Sequence, residues 1–103
     1  MFLLQTGAIM TITSETRISQ ASPPPLFSEV DDEVVMLDVI SGCYYNLDPV
    51  GSDIWKRLQN VMSVGELCAA LQRDYNADAE TIQHDVIPWL DQMLERDLII
   101  IIN

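Results

Sequence analysis

From Leu26 to Leu47 short apolar runs alternate with polar turn residues, and beyond Asp48 the apolar positions recur every three or four residues. A period of two followed by a period of 3.6 predicts strands and then helices. Leu26 to Val30 is a first short run, and Asp31-Asp32 supplies a turn. Val34 to Ile40 is a second, β-branched run, Ser41-Gly42 turns again, and Cys43 to Leu47 is a third. Two hairpins in succession predict a three-stranded antiparallel meander.

Asp48 suits a helix N-cap and Pro49 the first helical position. Val50, Ile54 and Leu58, with Trp55 beside them, give a first helix ending near Asn60. Ser63 and Glu66 have capping-box spacing and start a second helix, whose stripe is Val64, Leu67, Cys68 and Leu71 and which closes at Tyr75-Asn76. Asp78 caps a third helix running to about Asp97, with Pro88 inside it as a bend point. Leu98 to Ile102 is a last apolar run, a short strand or a docked tail. The fold class is α+β, winged helix-turn-helix-like, a three-stranded antiparallel sheet followed by three helices. Pro23-Pro24-Pro25 is a stiff spacer at the entry to the folded unit. Residues 1–22 are expected to be a poorly ordered tail, with Arg17 to Ser19 able to add a strand, and 23–103 the domain. Met10 is an alternative start to Met1.

Composition narrows the function. The 103 residues suffice for one core, and 49% of them are apolar. The net charge is −11, from 16 acidic against 5 basic residues. Such a surface repels phosphate backbones and anionic membranes and attracts a basic peptide or protein. The helix that would read DNA carries Asp78, Glu80, Asp85, Asp91 and Glu95 against Arg96, so the winged-helix order is retained without the usual ligand. The apolar opening segment lacks a positive leading region and is too short to span a membrane. Cys43 and Cys68 define neither a disulfide framework nor a zinc spacing and suit a reducing cytoplasm.

Catalysis finds little support. His84 is the single histidine, on the flank of a helical stripe, and no nucleophile–base order, glycine-rich phosphate loop or metal cluster accompanies it. No cofactor is expected. Two features exceed what a plain globular domain requires. The run Cys43-Tyr44-Tyr45-Asn46-Leu47 ends the meander and is expected at a sheet edge, without proline or lysine to block pairing. It either lies under a helix or accepts another strand. The apolar face of the third helix spreads over about 160°, wider than the roughly 100° of a core stripe. Its surplus either packs on a second side of the domain or lines a groove, in which Ile82, Val86 and Trp89 cluster with Asp85 on their flank.

Between Phe27 and Leu98 the chain carries Glu29-Val30-Asp31-Asp32-Glu33-Val34-Val35-Met36-Leu37-Asp38, then Gly42-Cys43-Tyr44-Tyr45-Asn46-Leu47-Asp48-Pro49-Val50-Gly51, then Ile54-Trp55. In that order the stretch resembles the PqqD family. Asp85 before Val86 and the closing Arg96-Asp97-Leu98-Ile99 also match. Glu33 replaces the family glycine at the hairpin tip, and Asp48 replaces an asparagine cap. The resemblance implies a domain that binds the leader of a ribosomally made precursor peptide, adding it as a strand beside the third strand and against the third helix. It implies Cys43, Tyr44, Tyr45, Asn46, Leu47, Ile82, Asp85, Val86 and Trp89 as the peptide-binding set. The tyrosine pair and free-standing length are similar to stand-alone proteins of lasso-peptide pathways, which deliver precursor to a separate leader peptidase. Two other readings are a non-catalytic adaptor binding another folded protein, and an acidic winged-helix regulator.

Overall fold

A computed structural model of the protein describes residues 12–39 and 41–102. Six strands and three helices alternate along it: β1 (Arg17–Gln20), β2 (Leu26–Val30), β3 (Glu33–Asp38), β4 (Cys43–Asn46), α1 (Pro49–Arg57), β5 (Met62–Ser63), α2 (Val64–Tyr75), α3 (Ala79–Glu95) and β6 (Ile99–Ile102). The expected meander is present as β2-β3-β4, all antiparallel. Ile40, expected to end its middle strand, lies outside the described residues.

A second sheet corrects the expectation of one. β1 is its centre, paired antiparallel with β5 on one side and β6 on the other. Its cause is the hydrophobic demand of Ile18, which is fully buried, and of Ile99, 1% exposed. The tail expected through Ser22 is therefore corrected over residues 12–22: Ile12 and Ile18 both belong to the core, and Thr16 and Ser14 accept backbone hydrogen bonds from Val64 and Gly65. The remainder of that expected tail, 1–11, and the choice between Met1 and Met10 lie outside the described residues. The final apolar run is a strand rather than a docked tail.

Local chemistry sets each boundary. Asp31 and Asp32 have φ of 52° and 68°, the pair of left-handed residues that a type I′ hairpin needs. Glu33 stands after those two positions, so the absence of glycine there strains nothing. Asp48 Oδ1 accepts from Gly51 N at 2.7 Å and caps α1. Ser63 and Glu66 close a reciprocal capping box on α2, and Asn76, left-handed at φ 52°, ends it. Asp78 caps α3 through Thr81 N, and α3 is continuous helix across the exposed Pro88.

The core lies between the helices and the two sheets. Trp55 from α1 and Leu58, which caps its C-terminus, Leu67 and Leu71 from α2, Leu90 from α3, Val34 and Met36 from β3 and Ile18 from β1 are all essentially inaccessible. Burying each of these large side chains contributes about 1.5–3 kcal/mol. Ser52, also fully buried, is the polar member: its hydroxyl accepts from Val34 N at 2.7 Å and donates to Leu47 O at 3.1 Å. That one group stitches α1 to β3 and to the exit of β4.

A polar staple holds α1 to α2. Arg57 bonds both oxygens of Asp53, at 3.0 and 3.1 Å, and reaches Asp74 Oδ2 at 2.6 Å, while Tyr75 donates to Asp53 at 2.8 Å. Burial pushes the Asp53 carboxyl up, but the hydrogen bonds from Arg57 and Tyr75 outweigh it and hold it below the usual carboxylate range.

Candidate functional site: an open strand edge beside helix α3

The type I′ turn and the loop around Gly42 fold the chain back twice and leave β4 on the outside of its sheet. Gly42, at φ 76°, donates to Asp38 O at 2.7 Å and makes the second reversal. The pairing sets which groups face outward. Leu47 N donates to Val34 O at 2.9 Å, marking that opposed pair as hydrogen-bonded. Hydrogen-bonded and non-bonded pairs alternate along an antiparallel ladder. Tyr45, opposite Met36, is thus bonded inward, while Tyr44 and Asn46, opposite Leu37 and Val35, direct their N–H and C=O groups to the open side. Among the described residues no strand pairs with β4 on that side.

The same register assigns the side chains. Directly opposed residues share a face of the sheet. Phe27, Met36 and Tyr45 form one row, and Met36 is fully buried, so this row faces the helices. Leu26, Leu37 and Tyr44 form the neighbouring row on the opposite, outer face. Tyr45 is half-buried against the core, and the Arg96 guanidinium sits 4.9 Å from its ring centroid, a cation–π contact. Arg96 caps the C-terminus of α3, so α3 ends beside the edge strand.

From there α3 runs back along the start of α1. Gly51 makes this close passage possible: a Cβ there would stand 3.3 Å from Trp89 Nε1 and 3.1 Å from Asp48 Oδ1. Beside the contact lies a concavity of about 350 Å³ lined by Asp48, Val50, Gly51 and Ile54 of the α1 segment and Asp85, Val86 and Trp89 of α3. Val50 is 44% exposed and Trp89 partly buried, whereas Ile54 and Val86 form a floor continuous with the core. Asp85 is exposed, with its carboxylate 3.4 Å from His84 Nδ1. His84 is otherwise a solvent-exposed helix residue.

The expected binding residues therefore separate. Asp85, Val86 and Trp89 come together in one concavity, and Cys43, Tyr45 and Asn46 lie on the edge strand leading to it. Tyr44 and Asn46 contribute outward backbone groups, but their side chains lie on the outer face. Leu47 is a correction to the expected run: its N–H is taken by Val34, its C=O by Ser52, and its side chain is 7% exposed in the core. Ile82 packs on the core and is outside the concavity lining. Asp48, Val50, Gly51 and Arg96 were not anticipated as site residues. Their proximity depends on how α1 crosses α3, which helical periodicity within one element does not report.

Among the described residues, no helix is long and apolar enough to cross a membrane, and no cluster of three potential metal ligands occurs. Burial raises the Cys68 thiol above its usual range, and Cys43 is exposed on the edge strand.

Comparison with known proteins bears directly on this geometry. No curated protein sequence matches the chain. A solved structure, TbiB1 in complex with the TbiA(beta) leader peptide, is similar to it with a TM-score of 0.69 and 31% identity, covering 78% of this chain and 93% of that one. The family model described as coenzyme PQQ synthesis protein D matches residues 33–99, from the start of β3 to the first residue of β6. With its sheet edge and its third helix both inside that match, the chain belongs to the PqqD family of peptide recognition elements and is not an enzyme.

Proposed function

We propose that this protein binds the leader of a ribosomally synthesised precursor peptide and delivers it to a maturation enzyme, a leader peptidase of lasso-peptide biosynthesis. The observation that carries the reading is the edge of β4, unpaired among the described residues, with the Tyr44 and Asn46 backbone groups directed outward next to the α1–α3 concavity. An extended leader pairs with that edge, and its alternate side chains turn toward α3. The sheet supplies main-chain bonds to any extended peptide, so specificity resides in the concavity. Its apolar floor of Ile54, Val86 and Trp89 takes an apolar anchor of the leader. Asp48 and Asp85 at its rim favour a basic residue beside that anchor. The similarity to a leader-bound structure supports this reading. The winged helix-turn-helix-like order then serves as a peptide-binding frame for the domain, and its acidic surface and two free thiols fit work in the cytoplasm.

The test is a titration of fluorescein-labelled leader peptides, beginning with the TbiA(beta) leader bound in the similar structure, against purified wild-type, Tyr44→Pro and Asn46→Pro proteins. Each proline removes one outward N–H, and each is expected to weaken binding by about tenfold where the fold is retained. Folded proline variants that both bind like wild type overturn strand addition.

A second reading, an adaptor for a folded protein, draws on a different observation: exposed apolar side chains on the outer face of the same sheet.

A further inference from the structure

The leader site uses one face and one edge of β2-β3-β4. The other face carries apolar side chains that leader binding leaves unexplained. Leu26, opposite Leu37, and Leu37, opposite Tyr44, form a cross-strand row on it. Leu26 is 63% and Tyr44 70% exposed, and Val35, two residues along β3 from Leu37 and on the same face, is half-buried. Together with Ser28 they line a shallow apolar concavity of about 210 Å³. Exposed large apolar groups gathered on a sheet face mark an interaction surface.

Resting on the leader-binding reading, we propose that this outer face is where the maturation enzyme docks, through an apolar patch with a basic rim on that enzyme. Two observations select this occupant. The acidic turn Asp31-Asp32, followed by Glu33, lies at the end of the face, and the whole chain carries −11 charge. A second copy brings the same acidic tip and the same net charge and is repelled, whereas a basic rim is attracted. The face is also continuous with the leader edge, because Tyr44 presents its backbone to the incoming leader and its side chain to the outer face. A leader strand added beside β4 places alternate side chains on that face and widens it. The enzyme thus meets a surface built jointly by carrier and cargo, and the loaded protein is the better partner.

The experiment measures two affinities separately for wild type and for the double variant Leu26→Ser, Leu37→Ser, both on the outer face and neither on the β4 edge. One titration uses the labelled leader. The other uses a purified leader peptidase that cleaves the precursor carrying that leader, captured on a sensor and exposed to this protein with and without saturating leader. The proposal expects the leader affinity of the variant to stay within about twofold of wild type and its peptidase affinity to fall by about tenfold or more. Leader is expected to tighten wild-type peptidase binding, and added salt to weaken it. Unchanged peptidase binding by the folded variant overturns the proposal. So does sedimentation showing that wild type is a dimer and the variant a monomer, since a second copy then covers the face. Failure of wild type to bind leader sinks the leader-binding reading instead, and is read in a different titration.

Discussion

The two three-stranded sheets differ in what they expose. In β5-β1-β6 the central strand is paired on both sides, and Ile18 and Ile99 are sealed in the core. In β2-β3-β4 the central strand is sealed at Val34 and Met36, yet every residue of β2 is exposed and, among the described residues, β4 is an open edge. The first sheet closes the molecule and the second displays it. Two sheets of equal strand number in one small domain thus show that strand count says little about role, whereas the burial of each strand's two faces says much.

Substitutions at matched positions test that contrast. Ile18→Ala leaves a cavity in the closing sheet and is expected to cost about 2–5 kcal/mol in urea unfolding. Leu26→Ala in the display sheet is expected to stay within about 0.5 kcal/mol of wild type. Comparable losses at both positions would erase the distinction.

Ser52→Ala probes the stitch between the display sheet and α1. It leaves Val34 N–H and Leu47 C=O buried without their partner, with an expected cost of about 1–3 kcal/mol. A neutral result in the same unfolding assay would mean that neither group depends on the hydroxyl.

The Asp53 staple is expected to be a smaller, pH-dependent contribution. Its carboxyl titrates lower when folded than when unfolded. The stabilisation is therefore complete above the unfolded carboxylate value of about 4 and is lost as pH falls through the lowered folded value. Asp53→Asn is expected to cost about 1 kcal/mol or less at neutral pH, because the group is partly exposed. Thermal melts should show its deficit shrinking as pH falls through this range. A deficit that holds constant across that range would contradict the linkage.

The smallest effect is expected at the rim of the leader site. Asp85→Asn should cost about 1 kcal/mol or less of leader affinity and reduce its salt dependence. An unchanged salt slope would place the leader's charge elsewhere.

What was legible in the chain was local. The Asp31-Asp32 turn, the Asp48, Ser63 and Asp78 caps and the Cys43–Asn46 edge all follow from neighbours a few residues apart, and so do the family-matching segments. The pairing of β1 with β6 does not, because Arg17 meets Ile102 across nearly the whole folded unit and nothing in either segment names the other. The same limit hid Gly51 and Val50 from the site. Tyr44 is an intermediate case: strand alternation places it opposite in face to Tyr45, but only the burial of Met36 identifies which face is inside.

The antiparallel pairing of β1 and β6 also ties the first described strand to the last. Arg17 and Ile102 are directly opposed, so the start of β1 and the end of β6 lie about 5 Å apart. The outer edge of β4 lies on the other sheet, clear of the seam. Joining the two ends by a short linker and reopening the chain at the exposed Asp31-Asp32 turn therefore leaves every strand pair of the closing sheet intact.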